Sequence, residues 1–213
     1  MEVTITAIKQ QKRNSQRVNI YLDGSYAFPL AKIVAAWLKV GQKLSFEKIK
    51  ELQKSNEAEK AFQRAINFVS YRPRSQAEVE RNLRKHEFTE DLILEVIDRL
   101  KQSKLLSDAD FARRWVEDRA AFRPRGAFAL RVELRQKGVA DEAIEKAISE
   151  IDEIELAREA ATRKARRLNK LEWPDFRSKL SAHLSRRGFG YETVAEVCQE
   201  AWKELQQTPR QEK

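Results

Sequence analysis

The chain has 213 residues, 41% hydrophobic and 35% charged, with a formal net charge of +9 and a single cysteine, Cys198. No apolar run approaches the roughly 20 residues of a helical membrane span, and one cysteine excludes an intramolecular disulfide. The opening MEVTITAIKQQKR alternates and has no apolar core, so no signal peptide is expected and the protein is expected to be soluble and cytoplasmic. Six Gly and five Pro leave few turn signals for so charged a chain, which points to exposed helices in a bundle or repeat array. A basic balance favours polyanionic partners through counterion release, with plain solubility as the bland alternative.

Residues 3–28 alternate at the strand period, with Val3, Ile5, Val18, Ile20 and Leu22 on the apolar face and Tyr26 and Phe28 continuing it. Asp23-Gly24 between them is a type I′ hairpin signal. Pro29 is expected to open a helix through about Trp37, and Gly41 to break it. Ser45 is expected to cap a second helix from Phe46 to about Lys54, with Lys54-Ser55-Asn56 as a joint. Residues 1–57 then form a small β-hairpin and helix domain holding ten Lys or Arg against five acids.

From residue 58 onward the strand pattern stops and the chain repeats itself. A shift of 51 places Arg72-Pro73-Arg74 on Arg123-Pro124-Arg125, Val79 on Leu130, Leu83 on Leu134, Phe88 on Val139, Ile93 on Ile144 and Ile97 on Ile148. A further shift of 50 adds Pro174, Leu180, Leu184, Phe189, Val194 and Cys198. Three units follow, 58–106, 107–154 and 155–205, with 206–213 expected to be a disordered tail. Each unit reads as three helices. The first is amphipathic, as in Phe111, Ala112, Trp115 and Val116. The second follows a proline expected in its first turn, with a capping box at Ser75 to Glu78. It ends at Gly138 or Gly188; Glu87 stands there in the first unit, so a different closure is expected. The third helix starts near Glu90, Asp141 or Tyr191.

Charge is sorted within every unit. The second-helix windows 72–86, 123–137 and 173–187 carry nets of +3, +4 and +3, and the third-helix windows 89–100, 140–154 and 192–204 carry −3, −5 and −3. A solvated face explains one such helix. Three repetitions favour a shared binding face, because Val79 and Leu83 hold the fold, Pro73 and Ser75 start the helix, and the arginines are left without a structural task.

No Gly-rich phosphate loop, metal spacing or nucleophile elbow is present, so neither an enzyme nor a cofactor is expected. His86 occupies a basic surface position and His183 has no acid partner in sequence. Cys198 aligns with Ile97 and Ile148 and reads as a core thiol. Asp108 and Asp110 read as helix-start charges. Trp115 reads as core, whereas Trp173 before Pro174 is either a contact or a helix lid.

The phrases SYRPRSQAEVERNLRKHEF, LLSDADFARRWVEDRAAFRPRGAFALRVELRQKGV and HLSRRGFGYETVAEV resemble the RecX family, bacterial regulators of the RecA recombinase. The resemblance covers about 58–205, and a β-rich extension like 1–57 occurs in some members. It implies a mainly α fold, an elongated curved array of three tandem three-helix repeats behind a small β-rich N-terminal domain. It also implies a monomeric, non-membrane partner of RecA and its nucleoprotein filament that modulates assembly, ATP hydrolysis and strand exchange, most often negatively. DNA repair, homologous recombination and the SOS response come with it, as does direct DNA binding by some members.

The residues expected to meet filament and phosphates are Arg72, Arg74, Arg81, Arg84 and Lys85; Arg123, Arg125, Arg131, Arg135 and Lys137; and Arg177, Lys179, Arg186 and Arg187. The third repeat lacks the Arg-Pro-Arg phrase, and Arg163, Lys164, Arg166 and Arg167 of its first helix are expected to compensate. Lys12, Arg13 and Arg17 are candidates for a separate N-terminal contact. Two rival readings stay open: a general single- and double-stranded DNA-binding repeat protein independent of RecA, and a plain helical scaffold.

Overall fold

The computed structural model describes residues 2–207. The expected tail lies outside the described residues from 208 onward, while Gln206 and Gln207 close the last helix. The chain divides into two compact units: Met1–Pro73 with Val79–Leu106, and Arg74–Glu78 with Ser107–Lys213.

The first unit opens with an antiparallel sheet of β1 (Glu2–Gln10), β2 (Arg17–Leu22), β3 (Ser25–Ala31) and β4 (Lys43–Ser45), in the order β3-β2-β1-β4. Alternation buries Ile5, Val18, Ile20, Leu30 and Leu44 on one face. Asp23 and Gly24 both take positive φ, 46° and 86°, as the two-residue hairpin requires. The helix expected from Pro29 to Trp37 does not form. Pro29 pairs with Asn19 inside β3 and the chain turns over residues 32–37. β3 is an edge strand, where a residue without an N–H is tolerated.

Ser45 caps α1 (Phe46–Ser70), accepting from the Lys48 N–H, but the expected joint at Lys54–Asn56 is absent and the helix continues unbroken. No Gly or Pro interrupts it, and Asn56 is buried, its Oδ1 accepting the Ala31 N–H at 2.9 Å. The supposed linker therefore fixes the helix to the sheet. Leu52 packs under the sheet, while Ala61, Phe62 and Ala65 join the core of the first repeat.

That repeat is completed by α2 (Gln76–Lys85) and α3 (Glu90–Gln102). In the second unit, α4 (Asp108–Phe122), α5 (Ala127–Gln136) and α6 (Asp141–Ser149) form the second repeat. The third is α7 (Glu153–Arg167), α8 (Trp173–Ser185) and α9 (Tyr191–Gln207). Corresponding positions are buried in all three: Val79, Leu130 and Leu180; Leu83, Leu134 and Leu184; Ile93, Ile144 and Val194; Ile97, Ile148 and Cys198. Three small cores, one per repeat, replace a single large one.

Two local expectations are corrected. The prolines of the first two repeats lie three residues ahead of their helices, because Ser75 and Gly126 set the starts; only Pro174 sits in a first helical turn. The turn after α2 also closes in the same way as the others. Glu87 takes φ 62°, beside 77° at Gly138 and 85° at Gly188. Phe88, Val139 and Phe189 each donate back to the leucine five residues earlier.

Those glycines have a second task in the second unit. The Ser75 hydroxyl donates to the Lys137 carbonyl at 2.6 Å, and at the matching position the Gly126 N–H donates to the Arg187 carbonyl at 3.0 Å. A Cβ on Gly138 would stand 2.4 Å from the Ala77 Cβ, and one on Gly188 would stand 2.4 Å from the Ala129 nitrogen. The turn glycines let backbone approach helix start.

Candidate nucleic-acid and protein interface

The second-helix cations are not idle. On α2, Arg84 forms two bonds to the Glu90 carboxylate, at 2.7 and 3.0 Å, and reaches Glu80 at 3.5 Å. On α5, Arg131 grips Glu145 through two bonds of 2.7 and 2.8 Å, and Arg135 bonds Asp141 at 2.7 Å. Lys137 meets Glu78 at 3.0 Å. The hydrogen bonds from Arg84, Arg135 and Arg131 hold the carboxyls of Glu90, Asp141 and Glu145 below their ordinary range. In the first two repeats the acidic third helix thus supplies internal counter-charges to the basic second helix. The reading that these arginines have no structural task is corrected for Arg84, Arg131 and Arg135, and for Lys137. Exposed pairs of this kind contribute little to stability and exchange readily for another anion.

The Arg-Pro-Arg steps behave differently. Arg72 donates to the Pro73 carbonyl at 2.9 Å, and Arg74 and Arg81 have further interaction partners within the fold. Arg125 stands 3.7 Å from Glu133, a carboxylate already taking bonds from Arg119 at 2.7 Å and from the Trp115 indole at 2.8 Å. Arg123 is exposed, and among the described residues no ion pair ties it. Arg187 leans in from the third repeat and donates to the Pro124 carbonyl at 3.2 Å. Burial, then the charges of Arg125 and Arg123, push the Arg187 pKa down from the usual guanidinium value. Three guanidinium groups converge here, and of the three Arg125 alone reaches Glu133 among the described residues.

Beside them lies a cleft of about 380 Å³ whose lining includes Phe122, Pro124, Glu159, Arg163, Lys164, Arg167, His183 and Arg187. No ion pair among the described residues engages Arg163, Lys164 or Arg167. The structure therefore brings together Arg123, Arg125, Arg163, Lys164, Arg167 and Arg187. Arg166 turns to another groove, with Arg158 and Glu200, while Arg177, Lys179 and Arg186 are exposed outside the cleft.

In the first unit, Lys12 and Arg13 are exposed on the connection between β1 and β2, and Lys85 is exposed at the end of α2. Arg17 lines a second cleft of about 390 Å³ with Lys60, Arg64 and Tyr71. The α1 cations Lys60 and Arg64 escape a reading that looks for the first repeat's contacts on its second helix.

The other candidates resolve as structural groups. His86 is exposed beside Arg64, and burial followed by Arg64 and Lys85 lowers its pKa. His183 is likewise lowered, first by burial and then by Arg187, and its Nε2 is buried with no hydrogen-bond partner among the described residues. Cys198 is a buried thiol whose pKa burial raises. Trp173 packs on Phe176 and Trp202, centroids 6.3 and 5.6 Å away, which makes it a lid on the third core. Among the described residues no helix is long and apolar enough to cross a membrane, and no cluster of His, Cys, Asp and Glu could hold a metal ion.

Comparison with known proteins accounts for nearly the whole of this architecture. Residues 3–45 match the regulatory protein RecX N-terminal domain, and residues 61–100, 107–148 and 150–198 match the first, second and third three-helix domains of RecX. Regulatory protein RecX of Bacillus subtilis (strain 168) is 37% identical over 196 residues, covering 90% of this chain and 74% of that protein. Regulatory protein RecX of Clostridium botulinum (strain Eklund 17B / Type B) is 33% identical over 204 residues, with coverage of 92% and 95%. Among solved structures, the crystal structure of a regulatory protein RecX superposes with a TM-score of 0.78 at 27% identity, covering 93% of this chain and 99% of that one. RecX from Lactobacillus salivarius gives 0.65 at 26% identity, covering 69% and 97%.

Proposed function

Given that the chain belongs to the RecX family of regulatory proteins, we propose that it is a non-enzymatic inhibitor of RecA that binds the RecA–DNA filament through its basic surface. The observation that carries this reading is the convergence of Arg123, Arg125 and Arg187 beside Arg163, Lys164 and Arg167. Like charges held together without enough acid cost the fold stability, and an anionic partner removes that cost.

Titrating the protein into RecA on single-stranded DNA should lower ATP hydrolysis and shorten filaments at substoichiometric ratios. Unchanged hydrolysis and filament length at saturation would sink the proposal. Arg123→Glu with Arg163→Glu and Arg167→Glu should weaken the effect while the circular dichroism spectrum stays the same, since no ion pair is lost. The same cation cluster also fits a DNA binder indifferent to RecA. Equal affinity for DNA with and without RecA would favour that second reading.

A further inference from the structure

Tyr71 and Phe122 are related by the same 51-residue shift as the Arg-Pro-Arg steps that follow them, and they are 84% and 82% exposed. Each stands where the first helix of its repeat stops: Phe122 is the last residue of α4, and Tyr71 caps α1. The proline two residues on disfavours helix for the residue between, so the chain leaves the helix and presents the ring at its end. Arg123 shows the break directly, with φ −149°. Nothing in folding requires two large rings to remain in water at equivalent places.

Their surroundings decide what they face. Phe122 lies on the rim of the cleft lined by Arg163, Lys164, Arg167 and Arg187, and Tyr71 on the cleft lined by Arg17, Lys60 and Arg64. The cations come from different elements in the two cases, so the pairing of exposed ring and basic cleft is reached twice by different routes. An aromatic anchor for a protein partner sits in an apolar pocket sealed by neutral contacts. These rings are bordered mainly by cations instead, with Glu159 as the acid on the Phe122 cleft. A flat π face next to positive charge is the arrangement that stacks a base and holds the phosphates either side of it. Duplex DNA keeps its bases stacked inside and has no use for an exposed ring.

We propose that Tyr71 and Phe122 are stacking platforms for unpaired bases, each beside a cleft whose cations take the adjoining phosphates, so that the protein binds single-stranded nucleic acid in preference to duplex. The inference rests on the reading that this basic surface meets nucleic acid. The third repeat carries Glu172 at the corresponding position, so two platforms exist and not three.

The test measures binding of the full chain, without RecA, to labelled oligothymidine and to a duplex of equal length by fluorescence anisotropy. Tyr71→Ala and Phe122→Ala should each weaken oligothymidine binding about five- to one-hundred-fold, the loss of one stacked base, and change duplex binding less than about twofold. Phe122→Trp should retain the affinity, and its added emission should be quenched on binding. Equal losses on both DNAs, or none on either, overturn the platforms. Arg163→Glu with Arg167→Glu separates that failure from the wider one. If this pair loses binding while the alanine variants do not, the basic surface stands and the stacking inference falls. If neither set loses binding, the surface is not a nucleic-acid site and both readings fall.

Discussion

Glu87 holds the left-handed conformation that Gly138 and Gly188 hold in the later repeats. For a residue with a Cβ this costs roughly 1–2 kcal/mol, against which glycine's larger loss of chain entropy offsets about 0.5–1 kcal/mol. Glu87→Gly should therefore stabilise the protein by about 0.5–1 kcal/mol, read as a raised urea midpoint. Gly188→Ala should do the reverse and by more, since its Cβ would also meet the Ala129 nitrogen and Cβ at 2.4 and 2.5 Å. An unstabilised Glu87→Gly would mean that the left-handed turn carries no strain. His183 gives a second prediction at this scale. Burial, then Arg187, Lys164 and Arg186, lower its pKa, opposed only by a hydrogen bond with the Ala160 backbone. A lowered histidine prefers to be neutral in the fold, so its contribution is complete above about pH 6.5 and is lost as pH falls below that. The melting temperature should drop between pH 7 and pH 5.5, and His183→Gln should flatten the drop. An equally steep fall in the variant would place the sensitivity elsewhere.

At the scale of elements, repetition made the helices legible. The starts at Glu90, Asp141 and Tyr191 and the buried positions of all three repeats follow from a shift of about fifty residues, because the same apolar places must fill three equivalent cores. Elements outside the repeat were harder to read. Pro29 looks like a helix opener until the sheet order puts it on an edge, and Lys54-Ser55-Asn56 looks like a linker until Asn56 is seen to bond β3. The charge sorting was legible, but its meaning was only half legible: sign separation along the chain does not say that α5 and α6 will face each other. Their pairing gives a direct test of whether Arg131 and Arg135 also serve a partner. Glu145→Gln with Asp141→Asn releases both arginines while the buried Ile144 and Ile148 keep α6 in place. If the arginines reach phosphate, DNA binding should tighten and its salt dependence should steepen by about one unit of slope per released contact. Unchanged affinity and slope would confine the two arginines to joining α5 and α6.

At the scale of the whole molecule, the surplus of cations is divided between repeats, the first two of which pair Arg84, Arg131 and Arg135 with acids of their third helices, and an N-terminal region in which Lys48 pairs with Glu51. Residues 1–57 carry ten Lys or Arg against five acids, and Lys12 and Arg13 are exposed on the β1–β2 connection. Removing the region is a poor probe of its role. A cut at residue 57 would sever α1, taking Leu52 and Asn56 with the sheet and leaving Ala61, Phe62 and Ala65 on a shortened helix. Lys12→Glu with Arg13→Glu avoids this, since neither side chain forms an ion pair among the described residues. If the two meet phosphate, the proposed inhibition of RecA ATP hydrolysis should need more protein, and DNA affinity should lose about one unit of salt slope for each. If they meet RecA itself, inhibition should weaken while the affinity for free DNA and its salt slope stay as they were. Inhibition unchanged in the double variant would remove the N-terminal contact and leave the proposed regulatory surface to the helical repeats, where among the described residues no ion pair engages Arg123, Arg163 or Arg167.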